Sequence, residues 1–119
     1  MPEDYKGTER RQHARIYKNY ILFLFEKDNP DQKIEVSQIT NISRGGICFV
    51  STESFNPGTH LRLQLKTPYL ADPLELEGLV LGSREKIFKM IFEIRLTFKN
   101  VSTQAQEVLL RIEQYTQKQ

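Results

Sequence analysis

The sequence holds one cysteine, two histidines and no tryptophan in 119 residues. The single thiol, Cys48, excludes an internal disulfide and suits a reducing compartment. Two isolated histidines, His13 and His60, with that one cysteine offer none of the close Cys/His spacings of a metal site, so no metal is expected. No base stands near Cys48 in sequence, and no catalytic residue is assigned. Long apolar runs are also missing. The longest, Ile21-Leu22-Phe23-Leu24-Phe25, is strand-sized, against the roughly 20 residues that cross a bilayer. The first residues, MPEDYKGTERRQHAR, are polar and charged, unlike a secretory signal. A cytoplasmic protein without membrane insertion is expected. The net charge of +2 is too small to demand a polyanionic partner, which disfavours a nucleic-acid-binding reading.

What is there suits one soluble domain with a modest core: 39% apolar and 27% charged residues. Residues 1–15 carry Pro2 and Gly7 without apolar periodicity and read as a flexible arm. The domain proper is expected over 16–119. Ile16 to Glu26 is rich in aromatic and β-branched residues and reads as a strand. Asp28-Asn29-Pro30-Asp31 reads as a turn. Lys33 to Ile42 reads as a second strand with a bulge after Val36, and Ile47 to Val50 as a short third. His60 to Lys66 alternates cleanly, leucines on one face and polar residues on the other. Leu74 to Gly82 alternates again, Ser83 to Lys86 reads as a polar turn, and Met90, Phe92, Ile94, Leu96 and Phe98 share one face of a sixth strand. Ala105, Val108, Leu109 and Ile112 then follow helical spacing. This predicts a helix over about 102–116, capped by Ser102 or Thr103, with Gln106 completing a box from Thr103. Six short strands followed by a helix imply an all-β small antiparallel barrel with a C-terminal helix.

Two short stretches carry chemistry. In Glu9-Arg10-Arg11-Gln12-His13-Ala14-Arg15, Arg11 and Arg15 form an Arg-x-x-x-Arg preceded by a third arginine. A guanidinium fork matches the O6/N7 edge of guanine and equally a pair of phosphate oxygens. Arg11 and Arg15 stand roughly 13 Å apart in extended chain, or roughly 6 Å apart in a helical turn. Either spacing lets both reach one dinucleotide. The second stretch is Asn41-Ile42-Ser43-Arg44-Gly45-Gly46-Ile47, an Asn-x-Ser-x-x-Gly. Asn41 offers an amide oxygen to a guanine N1–H, and Ser43 a hydroxyl to a phosphate or base. Gly45 and Gly46 permit positive φ and leave backbone amides bare for close approach. The bland readings are a solvated basic tail and a polar turn joining two strands.

An Arg-x-x-x-Arg arm before the first strand, with Asn-x-Ser-x-x-Gly at the end of the second, resembles the PilZ domain family. Ile47 and Phe49 add to the likeness, which spans nearly the whole chain from Glu9 to the terminal helix. The resemblance implies a six-stranded antiparallel PilZ-type β-barrel that binds cyclic di-GMP, with no other cofactor and no enzymatic activity. It places Arg11 and Arg15 on guanine edges and phosphates, and Asn41, Ser43, Gly45 and Gly46 against the ligand from the barrel surface. Many family members have Asp at the position of Asn41 and a tryptophan late in the fifth strand, where this chain has Gly82. Relatives with arginine before the first motif arginine tend to bind an interleaved ligand pair, so Arg10 implies two ligands per protomer. Arg44 either reaches a phosphate or faces water.

The implied action is that of a single-domain effector whose arm orders over the ligand and presents a changed surface to an unidentified downstream protein. The alternative is a degenerate member acting by constitutive protein contact, with weak or no nucleotide binding. Of the remaining residues, Cys48 is either a buried small apolar residue or an outward-facing thiol. Tyr17 and Tyr20 read as barrel packing, and Glu75 and Glu77 as a paired exposed face without catalysis.

Overall fold

The computed structural model describes residues 17, 19–36 and 38–118. The expected arm over 1–15, with Arg10, Arg11 and Arg15, lies outside them. Seven strands and one helix follow in order: β1 (Ile21–Glu26), β2 (Asn29–Glu35), β3 (Gln38–Ile42), β4 (Gly46–Ser51), β5 (His60–Lys66), β6 (Leu74–Ile87), β7 (Ile91–Lys99) and α1 (Thr103–Lys118). The strands form one sheet in the order β2-β1-β5-β6-β7-β4-β3, every neighbour antiparallel.

The sheet must curl. Its two edge strands, β2 and β3, are consecutive in the chain and separated by residues 36 and 37 alone. Three Cα steps reach about 11 Å, whereas six inter-strand spacings in a flat sheet span about 29 Å. The edges therefore come round toward each other in a half-barrel. The expected second strand, Lys33 to Ile42, is here two. The Val36 N–H still donates to the Leu22 carbonyl at 2.9 Å, and β3 then pairs with β4. That change of partner, at the corner where the sheet rolls over, gives seven strands rather than six.

The inner face is largely apolar, with Ser51 at the end of β4 a buried polar exception. Leu61, Leu63 and Leu65 on β5 and Ile94 and Leu96 on β7 are buried, together with Phe49 on β4. Each such side chain contributes about 1.5–3 kcal/mol. On α1, Ala105, Val108, Leu109 and Ile112 are buried in the same cluster, so the helix packs its single apolar stripe on the curled sheet. Its cap is Ser102, whose Oγ accepts the Ala105 N–H at 3.1 Å. The Gln106 side-chain amide donates to the Val101 carbonyl at 3.2 Å, so no box forms from Thr103. Tyr17 and Tyr20 are buried and pack edge-to-face, 5.5 Å between centroids. Burial, chiefly, pushes the Tyr20 phenol up, so it stays neutral in the core.

Three boundaries differ from the sequence expectation. β1 begins at Ile21 rather than Ile16, because Tyr20 donates its N–H back to the Tyr17 carbonyl at 3.0 Å and closes a turn. The β1–β2 reversal is Lys27–Asp28, and Asn29 already pairs with Glu26. Ser83 to Lys86 is strand, not turn: Ser83 pairs with Ile94, Arg84 with Glu93 and Glu85 with Phe92. The reversal comes later, with Lys89 at φ 57° and the Met90 N–H donating to the Ile87 carbonyl at 2.9 Å. Met90 is accordingly exposed at the turn instead of sharing the buried face of β7.

Candidate functional site

The position of Asn41 follows from a bulge. Ile39 and Ile42 on β3 are both buried, three residues apart, which strict alternation forbids. The register slips between Ile39 and Asn41. This inserts one residue, so that Ile42 returns to the core and Asn41 turns out to the exposed face. The Thr40 hydroxyl fixes the bulge by donating to the Cys48 carbonyl at 3.0 Å.

Across the outer face the register sets Asn41 opposite Cys48, Cys48 opposite Arg95 and Arg95 opposite Gly82. Directly opposed residues have Cβ atoms about 5 Å apart, so an amide, a thiol and a guanidinium lie in one row. Cys48 thus proves to be outward-facing and half-buried. Two residues along each strand, Gly46 pairs with Thr97.

The β3–β4 turn is built by Ser43. Its Oγ accepts the N–H groups of Gly45 and Gly46, both at 3.3 Å, while its own N–H donates to the Gly46 carbonyl at 2.9 Å. This is a hydroxyl mimicking a backbone turn. Two sequence expectations change. The two glycine amides are not bare, and neither glycine uses positive φ; among the described glycines only Gly58 does. Gly46 is required for a different reason. A Cβ there would run into the Leu96 backbone carbonyl oxygen, whereas one at Gly45 would meet open space. The Gly45 carbonyl accepts the Phe98 N–H at 2.9 Å and the Thr97 hydroxyl at 3.2 Å, locking the turn onto β7.

Arg44 is clasped by α1. Its N–H donates to Glu113 Oε2 at 3.0 Å, and its Nη2 lies 3.3 Å from Oε1. The Arg44 N–H, aided by the guanidinium charge, holds the Glu113 carboxyl below the usual glutamate range. The guanidinium itself is largely exposed.

Two hollows meet at Cys48 and Arg95. One of about 210 Å³ is lined by Asn41, Ser43, Gly45, Gly46 and Leu81 among others. The other, of about 440 Å³, adds Gly82, Ser83, Arg84 and Glu93. Together they make an open trough over β3, β4, β7 and β6. It contains an amide without hydrogen-bond partners among the described residues, the cations Arg95 and Arg84, and the half-exposed apolar side chain of Leu81. Such a surface suits a planar, anionic, hydrogen-bonding ligand: the fork of Arg95 for phosphate or a base edge, Asn41 for donors, Leu81 for a ring face. A separate hollow of about 290 Å³ on β1, β5 and β6, lined by Phe25, His60 and Arg62 among others, contains none of these residues. No group of three metal-binding side chains occurs among the described residues.

The structure therefore gathers Asn41, Ser43, Gly45 and Gly46 around one trough and puts Arg44 at its margin, tied to the helix. Sequence reasoning missed Arg95, although alternation had already put it on the polar face of β7.

The PilZ domain family model matches residues 9–114. The chain belongs to the PilZ domain family. No curated protein matches the sequence. Among solved structures, the PilZ fold is shared with the Bacillus subtilis inhibitor of motility MotI/DgrA, at 23% identity and TM-score 0.63, covering 83% of this chain and 46% of that one. It is shared also with Escherichia coli YcgR in complex with c-di-GMP, at 17% identity and TM-score 0.64, covering 83% and 41%. The isolated PilZ domain of YcgR with c-di-GMP gives 15% identity and TM-score 0.62, covering 83% and 82%. The chain thus spans less than half the length of the first two proteins and most of the isolated PilZ domain. No helix among the described residues is long and apolar enough to cross a membrane.

Proposed function

We propose that this PilZ domain is a cyclic di-GMP receptor that works as a binding effector in the cytoplasm, without catalysis of its own. The observation that carries the reading is the Asn41–Cys48–Arg95 row beside the Ser43–Gly46 turn, one exposed polar trough with unpaired donors and cations. Cyclic di-GMP brings two guanines and two phosphates, the groups that an amide, guanidinium forks and an apolar ledge would engage. Membership of the family and the ligand bound by YcgR in its solved complexes add support.

The arm completes the proposal. Tyr17, whose hydroxyl accepts the Ile42 N–H at 3.1 Å, is two residues from Arg15 and six from Arg11 in sequence. The described fold thus begins beside the second motif. Arg11 and Arg15 would close over the ligand, with each good guanine contact contributing about 1–3 kcal/mol. Arg10 would offset the charge of a second, interleaved molecule. Ordering of the arm would change the shape and charge of one barrel face, which a downstream protein reads.

A second reading, constitutive protein contact with weak nucleotide binding, is favoured by one observation: Ser43 and Arg44 are already engaged within the fold. Thermal unfolding with and without cyclic di-GMP separates the two. Ligand at about 100 times its dissociation constant should stabilise the receptor by about 2.7 kcal/mol. An unchanged transition at millimolar ligand would favour the contact reading.

A further inference from the structure

The β6–β7 hairpin outruns the rest of the sheet. β5 stops pairing with β6 at Leu79 and β4 stops pairing with β7 at Phe92. Past the Glu85–Phe92 pair the hairpin has no further neighbour in the sheet. At its end Phe88 is 73% exposed, Met90 64% and Ile87 54%. These three are half of the large apolar side chains exposed among the described residues. Single exposed apolar residues need no explanation, but a cluster at the end of a projecting ribbon does.

The surrounding charges are arranged around that apex. Between Arg84 and Glu93 the cations Arg84, Lys86 and Lys89 face two carboxylates, and both carboxylates are engaged locally. Glu85 accepts the Lys89 N–H at 3.2 Å, closing the turn, and Glu93 lies 3.9 Å from the Lys86 ammonium. The Lys89 ammonium folds back to 5.3 Å from the Phe88 ring centroid. Arg84 and Lys89 make no ion pair among the described residues. Three side chains supply on the order of 400 Å² of contact, short of the about 800 Å² per partner in a standard protein interface. A fluid apolar layer beneath anionic headgroups requires no such complementary area, and lysine stems beside apolar residues suit it.

We propose that this hairpin tip is a shallow anchor for an anionic lipid surface. Phe88 and Met90 enter the boundary between headgroups and acyl chains, while Arg84 and Lys89, the two apex cations without an ion pair among the described residues, meet lipid phosphates. No spanning segment is involved, and the proposal does not depend on cyclic di-GMP binding.

The absence of tryptophan provides the test. Phe88→Trp places a sole indole at the tip, and Tyr115→Trp, on the exposed surface of α1, serves as a control. Each variant is mixed with phosphatidylglycerol–phosphatidylcholine vesicles and with phosphatidylcholine vesicles. The expected result is a blue shift of the tip indole on anionic vesicles that high salt reverses, with little change for the α1 reporter. Lys89→Ala should weaken vesicle co-sedimentation of the otherwise native chain about fivefold. Circular dichroism confirms that the variants fold. No shift and no co-sedimentation with either vesicle overturns the proposal. An equal shift of both reporters does so too, as does a shift that grows with protein concentration without lipid, which marks self-association.

Discussion

Replacing Gly46 by alanine separates a structural glycine from a ligand-contacting one. A methyl group at Gly46 points into the backbone carbonyl of Leu96, which belongs to the β4–β7 ladder and cannot rotate away as a side chain would. Overpacking of this kind costs about 1–3 kcal/mol. Reduced freedom of the unfolded chain offsets roughly 0.4–1 kcal/mol, leaving a net loss of about 1–2 kcal/mol. With a urea m-value of about 1.5 kcal/mol/M, the midpoint should fall by roughly 0.7–1.3 M. Gly45→Ala is the internal control, since its new Cβ meets open space and its φ is not positive. Only the unfolded-state effect applies there, so its midpoint should stay level or rise by up to roughly 0.7 M. Equilibrium urea unfolding followed by circular dichroism reads both. Equal midpoints for the two variants, or a larger loss for Gly45→Ala, would refute the close-approach argument.

Other outcomes follow from the same geometry. Arg95→Ala should weaken cyclic di-GMP binding by about 10- to 150-fold, the loss of a charge-assisted contact of about 1.5–3 kcal/mol, with an unaltered unfolding midpoint because the guanidinium is exposed. Arg11→Ala and Arg15→Ala should each cost roughly 5- to 150-fold in affinity, read by calorimetry, and leave the apo transition in place. Glu113 has a carboxyl held down in the folded state, first by the Arg44 N–H. Its stabilising contribution is therefore present above the ordinary glutamate range and lost as pH falls through the folded value. Glu113→Gln should lower the urea midpoint at pH 7, and the gap from the parent should close toward pH 3. A gap independent of pH would contradict the clasp.

Much of the fold was legible in the sequence where one face of an element is buried and the other is wet. His60 to Lys66 reads as a strand from its alternation alone, and the stripe Ala105, Val108, Leu109, Ile112 reads as the helix. The failures have separate physical causes. Ser83 to Lys86 is strand in a region where β5 no longer pairs with β6; Arg84 to Lys86 are exposed, and no apolar residue marks the period. A polar strand and a polar turn then look alike. The bulge was expected after Val36 but falls between Ile39 and Asn41, since pairing partners and not composition decide where an extra residue fits. The site was legible as motifs. Asn41 and Ser43 do share one trough, yet the serine's main task, closing the turn onto Gly45 and Gly46, and the grip of Glu113 on Arg44 across 69 positions are tertiary facts. Arg95 belongs to the site only because β7 lies beside β4 in a register that sets it against Cys48.

Calorimetric titration of the full chain with cyclic di-GMP, run beside Asn41→Ala, tests the receptor reading most directly. The account predicts saturable heat with two ligands per protomer and at least tenfold weaker binding in the variant. Absence of heat at millimolar ligand, or equal affinity in both proteins, would contradict it.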